Sequence, residues 1–466
     1  MIESRTLLID PPHLPATTNF PEINKGGKIY SKYGLGLWLV FVPQVCVGKT
    51  LAYFIQVEER VLIDCLVSLT SPLFGILGLI FFRKILSNLG ASSIKSNFAL
   101  ITLGISSFYW KYSTTDFSAI MQACSLLGVF YYFSSSKSGR LLFVSFWISF
   151  LISIKVIYVI FIPIFTFYTI YINRGLNFHK KISMIFQLYS FVAPMGLILI
   201  IYNYFRYQNI FETGYGSESA MFSFQYFKRD FIPYLFSVDR GLLFYNPLLF
   251  ISLFGYKLIP AKHNIYLLLL VSIVIIWYVL MCFWQSFSGD YAWGNRFLVP
   301  ILPLIFIPVA FIPTNKKIIN VLTFLLILIS TLIQFSASFT KVNEITEIQL
   351  KLQDSPKHEN SSQIMTGLNL FYLKLFTSKA VYSADEFVAD NSDVINLSKY
   401  ESFNGFNIWV VHLLNYLGFS SFTYWAGIVF LSLTILVCLV LYYFCFVKTK
   451  FLKSYNLKYC SFCTKI

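Results

Sequence analysis

The run Ile265-Tyr-Leu-Leu-Leu-Leu-Val-Ser-Ile-Val-Ile-Ile-Trp-Tyr-Val-Leu-Met-Cys-Phe-Trp284 contains no charged side chain. Roughly 20 apolar residues in a helix cross a ~30 Å hydrocarbon core, so an uncharged run of this length reads as a transmembrane segment. The rest of the chain repeats the pattern. Of its 466 residues, 57% are hydrophobic and 12% charged, and the mean hydropathy is +0.67. Soluble domains carry about 25% charged residues. That balance excludes a soluble enzyme, a disordered regulator and a coiled coil.

Ten further apolar runs join this one, at 61–82, 98–110, 117–133, 141–153, 156–171, 183–204, 241–258, 297–312, 318–335 and 425–446. The fold class expected is an all-α polytopic membrane protein with about 11 transmembrane helices and a small extracytoplasmic segment before the last. Residues 141–171 read either as a pair hinged at Lys155 or as one long tilted helix. The net charge of +15 follows from Lys and Arg gathered at cytoplasmic span ends, so nucleic acid is not an expected partner. Arg83/Lys84, Lys137/Arg140, Arg174/Lys180/Lys181, Lys257/Lys262, Lys316/Lys317 and the basic tail 448–466 fall on one side. This puts the C-terminus in the cytoplasm and the N-terminus outside, provided 141–171 crosses twice.

The organisation expected is a first outer loop with an interfacial helix (1–60), a transmembrane domain (61–335), an extracytoplasmic segment that packs as a lid (336–424), a last transmembrane helix (425–447) and the tail (448–466). Residues 34–48 are apolar but short and interrupted by Pro43, so they read as an interfacial or re-entrant helix. Residues 1–33 hold Pro11, Pro12, Pro15 and Pro21 and show no signal-peptide pattern. An outer loop with nothing to export it reads as a chain missing its first helix. The cysteines form no disulfide framework; Cys460-Ser-Phe-Cys463 alone has ligand spacing, a weak signal without a second pair.

Four polar clusters fall at outer span ends, where ionisable groups are costly and need a reason. They are Ile29-Tyr-Ser-Lys-Tyr-Gly-Leu-Gly-Leu-Trp38 with Asp10 and Glu22 upstream, Trp110-Lys-Tyr-Ser-Thr-Thr-Asp-Phe-Ser118, Ser237-Val-Asp-Arg-Gly-Leu-Leu-Phe-Tyr-Asn-Pro247, and Phe287-Ser-Gly-Asp-Tyr-Ala-Trp-Gly-Asn-Arg-Phe-Leu-Val-Pro300. Each has a bland reading beside the functional one. Lys32 with Tyr30 and Tyr33 suits a snorkelling interfacial anchor. Asp116 suits a helix N-cap. Arg240 and Arg296 suit local pairs with Asp239 and Asp290. In the functional reading, Arg240, Arg296, Lys32 and Lys155 converge on a lipid-linked phosphate, which the planar guanidinium fork matches with two parallel donors. The histidines are scattered, and no metal site is expected from the residues.

The third and fourth clusters in register, Asp239-Arg-Gly-Leu-Leu-Phe-Tyr-Asn-Pro-Leu-Leu249 and Gly289-Asp-Tyr-Ala-Trp-Gly-Asn-Arg-Phe-Leu-Val-Pro-Ile-Leu-Pro303, resemble the paired signature of bacterial multi-pass proteins of the GT-C glycosyltransferase superfamily. Tyr30-Ser-Lys-Tyr-Gly-Leu-Gly36 resembles the end of their first outer loop, and Tyr112-Ser-Thr-Thr-Asp-Phe-Ser118 the turn opening a later helix. The resemblance covers about residues 1–313. It implies a transferase in the bacterial inner membrane, moving a sugar from a polyprenyl-phosphate carrier to a lipid or glycan acceptor on the outer face, with a divalent cation as an optional cofactor.

It also implies a carboxylate for acid–base work, for which Asp10 and Asp116 are the candidates, and a phosphate site from Lys32, Tyr33, Lys155, Arg240, Asp290 and Arg296. The family's usual acid after the first helix has no counterpart here, and the position after Ser118 is Ala119. Two other readings use the same residues: a transporter or flippase for a lipid-linked or anionic substrate, and a non-catalytic truncated copy.

Overall fold

The computed structural model describes residues 24–25, 28–29, 34–56, 58–115, 118–135, 139–213, 221–285, 292–313, 317–340, 342, 345–346, 348–349, 362–376 and 419–446. Apart from a two-residue antiparallel pairing of Asn24–Lys25 with Lys28–Ile29, the described elements are helical. This follows from the solvent: in hydrocarbon every backbone donor needs a partner within its own segment, and a helix supplies it.

Helix α1 (Leu35–Ile55) runs 21 residues straight through Pro43, longer than the short interrupted helix expected at 34–48. Its close packing is with the end of a neighbouring helix: a Cβ on Gly34 would lie 2.3 Å from the Ser153 carbonyl oxygen, and one on Gly36 2.2 Å from Ser153 Oγ. It turns back into α2 (Glu59–Ser68), which continues past Leu69 as α3 (Thr70–Asn88). Ser92 caps α4 (Ser93–Ile105) by accepting from the Lys95 amide, and a polar turn leads to the short α5 (Tyr109–Tyr112).

Helix α6 (Ala119–Ser134) is the buried centre of the bundle. Its N-cap position is Ser118 rather than Asp116, and Gln122 Nε2 donates to Ser118 Oγ at 2.9 Å. Helix α7 (Arg140–Ile154) ends at Lys155, which is extended at φ −150, ψ 112. A 3-10 turn (Val156–Phe161) and α8 (Ile162–Ile172), with Pro163 in its first turn, follow. Of the two readings for 141–171, the structure has the pair hinged at Lys155.

Helices α9 (Phe178–Tyr189) and α10 (Val192–Tyr207) together cover 30 residues. Short helices α11 (Phe224–Asp230), α12 (Pro233–Phe236) and α13 (Leu242–Tyr245) precede α14 (Leu249–Tyr256). The expected span 241–258 is therefore broken. The residue before a proline is driven to extended backbone, and Asn246, at φ −136, ends α13 before Pro247. Helix α15 (Asn264–Cys282) is the uncharged run read first. The expected span 297–312 is instead a short α16 (Leu302–Phe306) flanked by 3-10 turns, rich in proline and buried among other helices. Helices α17 (Lys317–Phe339), α18 (Gln363–Phe376) and α19 (Ser420–Phe446) complete the set.

Among the described residues, five helical stretches are long and apolar enough to cross a membrane: Leu35–Ile55, Glu59–Asn88, Phe178–Tyr207, Ala261–Cys282 and Ile318–Phe339. The expected span 425–446 falls within the 27-residue α19, and the remaining expected spans fall on shorter or broken apolar helices. Three of the central helices nevertheless lie side by side in register. Tyr158, just after the Lys155 break, donates to Gln122 Oε1 of α6 at 2.6 Å and stacks on Trp277 of α15 with centroids 4.4 Å apart. At their other ends, Tyr266 of α15 donates to the Phe130 carbonyl of α6 at 3.0 Å, and Phe133 of α6 meets Tyr168 of α8. The start of α6, the Lys155 break and the end of α15 thus share one level of the bundle. The end of α6, the end of α8 and the start of α15 share the other. The contacts are about 17 Å apart along both α6 (Gln122 to Phe133) and α15 (Tyr266 to Trp277), and the two helices are about 24 and 28 Å long in all, close to the thickness of hydrocarbon.

Candidate functional site

At the level of the Lys155 break, the two motifs read as a pair from the sequence are packed on each other. Arg240 Nη1 donates to the Ala292 carbonyl at 2.9 Å, and the Tyr245 ring meets the Trp293 ring edge-on with centroids 5.0 Å apart. Gly294 makes the approach possible: its φ of +58 favours glycine, and a Cβ there would fall 2.8 Å from the Tyr245 ring. Asn295 then caps the turn that carries Arg296, its Oδ1 accepting from the Phe297 amide at 3.1 Å. Asn246 ties the first motif to the start of α5 by accepting from the Phe108 amide at 3.3 Å.

Three of the expected phosphate-site cations meet in this assembly. The Phe297 ring has Arg296 5.1 Å from its centroid on one approach and Lys155 Nζ 5.5 Å on another. Tyr112 of α5 sits in the field of both Arg296 and Arg240. Burial pushes the Tyr112 phenol above the usual tyrosine range, and the two guanidiniums pull against that shift. Its hydroxyl donates to the Trp293 carbonyl at 3.0 Å. Trp277 Nε1 donates to the Phe297 carbonyl at 2.7 Å and so pins this loop to α15.

The exposure of the cations separates their roles. Arg240 is 4% exposed and lies 3.7 Å from Asp239, whose other oxygen accepts from Gln349 Nε2. The local pair read from the sequence at 239–240 is present. Arg240 is thereby engaged in holding the loop, whereas Lys155 and Arg296 are only half-buried.

Two cations were not singled out as site residues. Lys111, next to Tyr112, is 3% exposed; its presence in the second polar cluster was the available signal. Arg206, near the end of α10, is also 3% exposed, with Tyr202 and Tyr207 rings 3.9 and 4.6 Å from its guanidinium carbon. Its Nη2 donates to Asn203 Oδ1 at 2.9 Å. It shares a small cleft with Lys155, Asn203 and Gly34. Arg206 sits at the end of an apolar run that carries no motif, so only the fold brings it to Lys155.

The segment before the last helix reaches into the same assembly. Gln363, the first residue of α18, accepts from the Tyr245 hydroxyl and the Gly294 amide, each at 2.9 Å, and donates to the Ala292 carbonyl at 2.9 Å. Gln334 of α17 accepts from Trp293 Nε1 at 3.3 Å and donates to the Tyr245 carbonyl at 2.7 Å. A buried glutamine at the start of α18 therefore joins both motifs, a role that no spacing in the sequence announces.

Asp10, Lys32, Tyr33, Asp116 and Asp290 lie outside the described residues, as do Cys460, Cys463 and the tail. Gly34, directly after Tyr33, lies against Ser153 and Ile154 beside Lys155. Among the described residues, no three His, Cys, Asp or Glu side chains gather as metal ligands. No family model matches this chain, and neither a curated protein nor a solved structure was found to be similar to it.

Proposed function

We propose that this chain is a multi-pass membrane glycosyltransferase of the GT-C type. In this reading it moves a sugar from a polyprenyl-phosphate carrier to a lipid or glycan acceptor on the outer face of a bacterial inner membrane, its C-terminus cytoplasmic. The observation that carries the reading is the convergence of Lys155, Arg296 and Arg240 on one Phe297–Tyr112–Trp293 assembly at one end of an apolar bundle. Cations at such a position are costly unless they serve an anion or pair with one another's neighbours.

The chemistry assigns distinct tasks. Lys155 and Arg296, half-buried, hold the carrier phosphate and stabilise the charge that grows on it as the glycosidic bond breaks. Arg240 sets the loop that aims Arg296. Asp116, four residues beyond Tyr112, or Asp10 takes the proton from the acceptor hydroxyl; Lys32, Tyr33 and Asp290 are the further phosphate-site candidates that the resemblance supplies. Metal chemistry enters only through the resemblance.

A second reading, passage of a lipid-linked or other anion without chemistry, draws support from Asp239. It is the carboxylate beside Arg240, and it is already held by Arg240 and Gln349. One experiment separates the readings. Purified full-length protein in liposomes is given polyprenyl-phosphate sugar labelled in the sugar. Transfer to acceptor lipid, lost roughly 100-fold or more in Lys155→Ala and Arg296→Ala, supports the transferase. Movement of intact donor across the bilayer without release of carrier phosphate supports the transporter. Neither transfer nor movement would leave the non-catalytic reading.

A further inference from the structure

At the opposite level of the bundle, about 17 Å from the Lys155 assembly along α6 and α15, the ends of α6 and α8 and the start of α15 border a second, open cavity. Its volume is about 400 Å³, and Ser134, Tyr168, Arg174, Lys262, His263 and Tyr266 are among its lining residues. Three features define what it can hold.

The first is charge without counter-charge. Arg174 and Lys262 line the cavity, and Arg140 is close enough to Tyr168 to act on its phenol. No Asp or Glu occurs between Asp116 and Glu212, nor between Asp239 and Asp290. The segments that build the cavity therefore contain no carboxylate. The ion pairs among the described residues involve neither Arg174 nor Lys262.

The second is an imidazole with bonding capacity to spare: His263 Nε2 is buried with no hydrogen-bond partner among the described residues, and His263, which precedes α15, makes no side-chain cap bond.

The third is the wall below the cations. On α8 and α15, Phe167 is 69% exposed and Leu268 63% exposed. An apolar surface therefore leads away from the mouth toward the bundle centre, as acyl chains require.

From these features we propose that the cavity binds the phosphate head group of one anionic phospholipid, its tails lying along α8 and α15. Basic pockets between transmembrane helices suit such head groups, each Lys or Arg contributing on the order of 1 kcal/mol. The site is separate from the Lys155 assembly and stands whichever reaction that assembly performs.

The test uses full-length protein in detergent, with short-chain phosphatidylglycerol as the probe and phosphatidylcholine and inorganic phosphate as comparisons. Native mass spectrometry counts bound lipid, and thermal unfolding follows the same titration. One phosphatidylglycerol is expected to bind in preference to phosphatidylcholine and to raise the unfolding temperature. Arg174→Gln with Lys262→Gln should weaken binding roughly 30-fold, the product of two lost charges.

The charge-keeping pair Arg174→Lys with Lys262→Arg should retain binding, and this holds the test open should the neutral pair fold poorly. Lys180→Gln with Lys181→Gln, which removes as much charge outside the cavity, should bind as the parent does. Equal binding by the neutral cavity pair, equal loss in the Lys180/Lys181 pair, or an equal thermal shift from inorganic phosphate would each overturn the proposal. The last outcome would make this a free-anion site.

Discussion

At the scale of single residues, the cations of the Lys155 level divide by what else they hold. Arg240 is nearly buried, donates to the Ala292 carbonyl and lies beside Asp239. Losing a buried hydrogen bond from a charged donor costs about 1.5–3 kcal/mol, although Gln363 still donates to the Ala292 carbonyl. Arg240→Ala is therefore expected to lower the unfolding temperature, read by tryptophan fluorescence on heating, and to lose activity as a consequence. Arg296 is half-buried beside the Phe297 ring. Arg296→Ala should change stability by less than about 1 kcal/mol while abolishing use of the phosphate-bearing substrate. Equal destabilisation by both substitutions would remove the distinction drawn here.

At the scale of elements, α18 is fastened by one side chain. Gln363 satisfies the Gly294 amide, the Ala292 carbonyl and the Tyr245 hydroxyl together. Gln363→Ala leaves the Gly294 amide without its acceptor, at about 1–3 kcal/mol when no water replaces it, while the Ala292 carbonyl keeps Arg240 and the Tyr245 hydroxyl keeps the Asp239 carbonyl. Faster amide hydrogen exchange across Gln363–Phe376 is expected, with α6 and α15 unchanged. Unaltered exchange in α18 would mean that its apolar face, through Phe371 against Phe339, suffices to hold it. The Lys155 break is the second element-level feature. Because α7 stops there and a 3-10 turn follows, the lysine sits where helix ends and loops meet rather than in mid-span.

For the whole molecule, the two levels make a direct prediction about sidedness. Lys228 lies in α11, which leads to Tyr234, a donor to the Met281 carbonyl at 3.0 Å near the end of α15. Lys262 precedes the start of the same helix. Both are exposed. In a background without native cysteines, Lys228→Cys and Lys262→Cys should react with a membrane-impermeant maleimide from opposite sides of sealed vesicles. Labelling of both from one side would mean that α15 does not cross, and the bundle would need another orientation in the bilayer.

The sequence by itself determined the solvent of this protein and the material of its fold. An uncharged run such as 265–284 has one stable form in hydrocarbon, and the helix begins within a residue of where hydropathy places it. The charge pattern of the loops placed the Asp239–Pro247 and Gly289–Arg296 motifs on one face, and their pairing rested on the family resemblance; the structure packs them on each other. Tertiary structure alone decided which apolar runs are straight. Residues 241–258 and 297–312 are as apolar as a span, yet one breaks before Pro247 and the other winds into short turns, since packing against neighbours satisfies what a lone helix would have to satisfy alone.

Arg206 and Gln363 became visible only in three dimensions. Each lies far in sequence from some of the groups it joins, and burial, which hydropathy averages over a window, is set one side chain at a time. The cavity at the far level has the same origin: its cations come from two helix ends separated by most of a hundred residues, and only the register of α6, α8 and α15 brings them to one place.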